Sequence, residues 1–191
     1  MMRHSVKRVN SSLNRAFVRF AGDRRGVSAV EFALILPLMV ALYLGGVEAT
    51  QAISADRKVT LTAGALANLA AQSTTLSNAD MTNILNASAS IMYPYSTSNM
   101  TAVISCLSID ANKNVTVSWS QTLNGTARAV GSTVAINSNL AIANTQLLLG
   151  EVTYNYKPTV GYIITGTLKL ADKMYMSPRI SAPTYNGTAC S

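Results

Sequence analysis

Glu31 is the residue whose type and position most invite chemistry. It is the single charge in Val27–Val47, VSAVEFALILPLMVALYLGGV. A carboxylate in an apolar helix costs on the order of 2.5–3.5 kcal/mol by insertion scales, and less near a membrane interface. Either Glu31 sits near the interface and stays wet, or it awaits a positive partner. The best partner is a free α-amine, made by cutting the chain just before the apolar run. Arg24-Arg25-Gly26 followed by Val27-Ser28-Ala29-Val30-Glu31-Phe32 offers such a cut. Gly26 has no side chain to obstruct a protease, and cleavage after it would place a new amine on Val27, four residues before Glu31. With subunits side by side, one amine could neutralise another subunit's Glu31 in low dielectric.

Other chemistry is scarce. His4 is the single histidine, so the rest of the chain has no Ser-His-Asp or Cys-His group and no His-ligated metal site. Two cysteines cannot build a four-Cys zinc site, and no CxxC exists. No metal and no cofactor are expected. If the region after the apolar run lies outside the cytoplasm, Cys106 and Cys190 can oxidise. Their bridge would close a loop of about 85 residues, worth on the order of 4 kcal/mol in the chain-entropy model. The alternative is two unpaired thiols. The Asn-x-Ser/Thr triplets at Asn86, Asn99, Asn114, Asn124 and Asn186 are what chance gives in a chain so rich in these residues. Arg128 and Arg179 are either partner contacts or solvated charges.

The net charge of +7 is unevenly placed. Residues 1–25 hold seven basic side chains against Asp23 alone, and residues 26–191 hold eight against seven acids. Basic residues that precede an apolar segment have the layout of a membrane-targeting signal, not of a nucleic-acid surface. The 21 residues from Val27 to Val47 span roughly 31 Å as a helix, close to a bilayer's hydrocarbon thickness. The positive-inside rule keeps the leader cytoplasmic and puts Glu48 onward on the far side. Pro37 removes one helical hydrogen bond. An ordinary cleaved signal peptide fits poorly, because the basic region is long and the apolar region is both long and acidic.

Beyond the apolar run, Ala52, Ala55, Val59, Ala63, Leu66 and Ala70 mark one helical face. It is either core packing on the chain's own sheet or a contact with a neighbouring subunit. Ser77 and Asp80 read as a helix start, Met81, Ile84, Leu85, Ser88 and Met92 keep helical spacing, and Pro94 ends it. Residues 101–109 read as a strand and 110–114 as a turn. Val115, Val117 and Trp119 alternate with Thr116, Ser118 and Ser120 as a second strand, which makes an antiparallel hairpin. Residues 123–144 read as a long connection, with strands resuming near 146–156, 162–170 and 173–177. The expected class is α+β: a long N-terminal helix laid on an antiparallel sheet.

Taken together, the sequence resembles a type IV pilin-like precursor: a basic leader ending in Gly26, Glu31 at the fifth position after it, then an apolar helix. More closely, RRGVSAVEFALILPLMVALYLGGVEATQA is similar to TadE-like minor pseudopilins of tight-adherence (Flp-type) pilus systems, notably at Val30-Glu31-Phe32-Ala33 and Leu36-Pro37. Tyr154-Asn155-Tyr156-Lys157-Pro158 and Tyr175-Met176-Ser177-Pro178-Arg179 resemble that family's periplasmic domain. The resemblance implies a pilin-like fold and a structural, non-enzymatic subunit of pilus biogenesis and adhesion. It implies cleavage by a prepilin peptidase between Gly26 and Val27, and Glu31, with Phe32 beside it, as the assembly position. The implied divisions are a leader over 1–26, a transmembrane helix over 27–49 and a periplasmic head over 50–191. Expected partners are the peptidase, minor and major pilins, the inner-membrane assembly platform and membrane lipid, with no nucleic acid. The rivals are a permanently anchored periplasmic binding module, in which Glu31 is incidental, and a membrane-bound hydrolase. The hydrolase would need a Ser-Lys or paired-carboxylate site, and the sequence suggests no such cluster.

Overall fold

The computed structural model describes residues 25–158, 161 and 165–191. The basic leader up to residue 24, and residues 162–164 of the strand expected over 162–170, lie outside the described residues. Helix α1, Arg25–Ala71, runs unbroken through Pro37. The chain divides into two compact units between Gly46 and Val47.

Over Gly26–Tyr43 every side-chain position of α1 is exposed, with Leu34 at 75% and Leu42 at 69%. An all-round apolar, uncovered helix is the pattern of a lipid-facing segment, since a soluble surface helix keeps one face polar. From Ala52 the same helix becomes one-sided. Ala52, Ala55, Val59, Ala63, Leu66 and Ala70 are all buried, in one core with the helix that follows and a face of the sheet. The stripe therefore packs on the chain's own sheet. The helix C-terminus finds a tertiary partner, as the Arg179 N–H donates to the Ala71 carbonyl at 2.9 Å.

Helix α2, Asn78–Ser90, opens with a capping box. The Ser77 hydroxyl accepts from the Asp80 N–H at 3.2 Å, and the Asp80 carboxylate accepts from the Ser77 N–H at 3.0 Å. The Ser77 hydroxyl, at 2.7 Å from the Asp80 carboxylate, and then the Ser77 N–H hold that carboxyl below its ordinary range. The helix stops at Ser90, and Met92 is buried in the turn that follows.

The sheet has the order β3-β2-β4-β5, antiparallel throughout, from β2 (Met100–Ile109), β3 (Val115–Leu123), β4 (Thr145–Tyr156) and β5 (Leu168–Met176). The β2–β3 turn is built on Asp110, whose carboxylate accepts from the Asn112 and Asn114 N–H groups at 2.8 Å. A two-strand parallel pair joins β1 (Thr75–Leu76) to β6 (Thr184–Tyr185). The 123–144 stretch has no strand of its own. Part of it lies along β3, where Val117 donates to Ser132 at 3.0 Å and Val134 to Val115 at 3.0 Å.

Two details depart from the alternation read in the sequence. Pairing between β2 and β3 shifts between Cys106 and Leu107, so Cys106 faces Trp119 while Leu107 faces Val117 and Ser118 is left over. This bulge sends Trp119 into the helix-side core and Val115 and Val117 into a second cluster, with Leu107, Leu147, Leu149 and Val134. In addition, the segments expected near 162–170 and 173–177 give one strand, β5. Asp172 lies within it, paired with Val152 of β4, and its carboxylate accepts from the Thr60 hydroxyl of α1 at 2.5 Å.

Cys106 and Cys190 form a disulfide with Cα atoms 5.9 Å apart, tying β2 to the C-terminus across 84 residues. The same C-terminal segment accepts a bond from Trp119 Nε1 at the Pro183 carbonyl, 3.1 Å away, and stacks Tyr185 near Trp119 at 5.7 Å.

Gly150 marks the closest approach of helix and sheet. A Cβ there would lie 2.5 Å from the Ala63 carbonyl oxygen and 3.1 Å from the Ala67 nitrogen. Both are backbone atoms, so the helix itself would have to move. Gly150→Ala should therefore lower stability by about 1–3 kcal/mol, the usual cost of overpacking. Urea unfolding in detergent, followed by the near-ultraviolet signal of the single tryptophan, measures this, and an unchanged midpoint contradicts the close contact.

Candidate functional site

The candidate assembly site lies on the first turns of α1. Gly26 and Val27 fall within the helix; Val27 is 55% exposed, and a Cβ at Gly26 would meet nothing within 4 Å. Glu31 is exposed, and Phe32 beside it is 59% exposed. Val27 and Glu31 stand four residues apart, so they share a helix face one turn from each other. The face also carries Val30, Leu34 and Ile35, all exposed. A carboxylate thus stands alone in an apolar, uncovered surface, and nothing else on the helix from Gly26 to Val47 carries charge. Such a surface gains by contact with lipid or with another apolar helix.

Among the described residues no three His, Cys, Asp or Glu side chains gather as a metal site would require. Arg128 and Arg179, read as partner contacts or solvated charges, are engaged within the chain. Arg128 makes a two-pronged bond to Glu151, Nε to Oε2 at 2.6 Å and Nη2 to Oε1 at 2.7 Å. That hydrogen bond raises its pKa above even its ordinary range. Arg179 Nη2 donates to Asn68 Oδ1 of α1 at 2.6 Å.

The sequence reading overlooked one polar group. Glu48 follows directly on the apolar run, yet only 1% of it is exposed. Its signal was present: one step of four back along the stripe from Ala52 reaches position 48. Around it lies a tyrosine cluster. Tyr95 donates to the Gln51 carbonyl at 3.0 Å and Tyr156 to Gln51 Oε1 at 3.5 Å. The Tyr95 ring lies 6.2 Å from Tyr154 and 6.0 Å from Tyr156. Burial, then the neighbouring Tyr95, raises the pKa of both Tyr154 and Tyr156, and Glu48 adds to the effect on Tyr156. A phenol whose pKa rises on folding stabilises the fold below the free value of about 10 and loses that contribution as pH climbs through the folded value. Alkaline titration of the native protein, read by tyrosinate absorbance, should show late-ionising phenols whose number falls in Tyr156→Phe. An identical titration curve for that variant contradicts the buried cluster.

Comparison with curated proteins and with solved structures returned no match. Among family models, residues 26–68 match the one described as TadE-like protein. The match begins at Gly26, takes in Val27, Glu31 and Phe32, and runs on through the buried alanine stripe as far as Asn68. Over those residues, in its long N-terminal helix, the chain is similar to TadE-like proteins.

Proposed function

We propose that the chain is a minor pilin-like subunit of a tight-adherence pilus, working as a structural component and not as an enzyme. It enters the inner membrane with its basic leader cytoplasmic and its head on the periplasmic side. A prepilin peptidase then cuts between Gly26 and Val27, and the shortened subunit joins other pilins at the assembly platform.

One observation carries this reading: a single carboxylate, one turn from Val27, on an apolar helix segment uncovered on every side and inside the TadE-like match. An α-amine near 4 Å from Glu31 would be worth about 4 kcal/mol at an effective dielectric near 20. Burying Glu31 without such a partner costs on the order of 2.5–3.5 kcal/mol. Charge pairing thus offsets much of the cost of burying the carboxylate, and only in the register that brings the two groups together. Ala29, Ala33, Ala41, Gly45 and Gly46 let helices approach closely once that register is set.

Glu31→Ala tests the pairing. Membrane insertion and cleavage should persist, since neither uses the carboxylate. Co-purification with partner pilins should fall by about tenfold or more, the effect of losing at least 1.4 kcal/mol. Normal co-purification contradicts charge pairing and favours a permanently anchored module.

A further inference from the structure

The end of the head domain reached first from the apolar helix carries a surface that neither the family match nor the assembly reading explains. Gln51 lies four residues beyond Val47, about 6 Å along a helix from the end of the apolar run. The hydroxyls of Tyr95 and Tyr156 both bond to Gln51, so they stand near the start of the head's own stretch of α1. From each of these two tyrosines the chain continues to exposed side chains. Two residues before Tyr95 is Tyr93, 80% exposed. After Tyr156 comes Lys157, exposed. Tyr156 pairs across the sheet with Leu168, 39% exposed, and Asn155 pairs with Lys169, exposed.

The charge at this end is one-sided. Of the nearby acids, Glu48 is buried, and Asp56 stands five residues beyond Gln51 on α1. Asp172 is bonded to Thr60, nine residues beyond Gln51. Exposed tyrosine and leucine beside two lysines is the composition that favours the bilayer interface. Aromatic rings rest at headgroup level, and ammonium groups meet lipid phosphate. A protein partner of the same face would have to share it with that layer.

We infer that this end of the head seats on the lipid headgroup layer, with Tyr93 and Leu168 dipping into the interface and Lys157 and Lys169 binding anionic lipid phosphates. The inference rests on α1 being a membrane anchor, and on nothing about cleavage or polymerisation.

The test uses the full chain reconstituted in phosphatidylcholine vesicles, with or without phosphatidylglycerol. Nitroxide labels go on Tyr93→Cys, on Lys113→Cys in the hairpin turn at the opposite end of the sheet, and on Leu38→Cys in the apolar helix. Cys106 and Cys190 are bonded to each other and take no label, and Tyr93 is too exposed for its replacement to disturb the core. Collision rates with oxygen and with a water-soluble nickel chelate report depth. The expected order is Leu38 deepest, Tyr93 at headgroup level and Lys113 in water. Phosphatidylglycerol should draw the Tyr93 label deeper, and Lys157→Gln with Lys169→Gln should remove roughly half or more of that gain. An embedded Leu38 label with a Tyr93 label as wet as Lys113 overturns the headgroup contact and leaves the anchor standing. Wet labels at both 38 and 93 overturn anchor and contact together.

Discussion

A single helix here must satisfy two surroundings, and the rest of the structure follows from that constraint. Over residues 26–43 its side chains are uncovered and, Ser28 and Glu31 aside, apolar, which is favourable only in lipid or against other helices. Each exposed Leu or Ile left in water forgoes about 1.5–3 kcal/mol of burial. From Glu48 onward one face is buried against the sheet, built mostly of alanine so that the backbones come close. Gly150 is the sheet's side of that bargain, the position where no side chain could fit. Anchoring and head folding therefore share one continuous element, and Glu31 is the one charge in the part that the head does not use.

The head holds its shape through long-range ties as well as through its core. The disulfide joins β2 to the C-terminus, β1 pairs with β6, and Trp119 bonds to Pro183. In an oxidising compartment the covalent tie restricts the unfolded chain by closing a long loop, worth about 4–5 kcal/mol in the chain-entropy model.

Much of this was legible from residue spacing. The alanine stripe, the Ser77–Asp80 cap and the β2–β3 hairpin follow from period and turn chemistry, and the structure has all three. What escaped has physical reasons. An inserted residue at Ser118 leaves the alternating pattern intact on paper while it sends Trp119 and Val117 to different clusters. The segments read near 162–170 and 173–177 meet in one strand, whose Asp172 bonds to Thr60 of α1, a partner distant in sequence. The β1–β6 pair joins segments over a hundred residues apart, each too short to carry a pattern. Glu48 was hidden by the habit of reading the first charge after an apolar run as the exit into water, although the helical period pointed inward.

The account's central claim is that the amine meeting Glu31 exists only after the leader is removed. Intact mass and N-terminal sequencing of the chain, expressed with and without the prepilin peptidase, test it most directly. The account predicts a polypeptide beginning at Val27 when the peptidase is present and at Met1 when it is absent. A chain beginning at Met1 in both contradicts it.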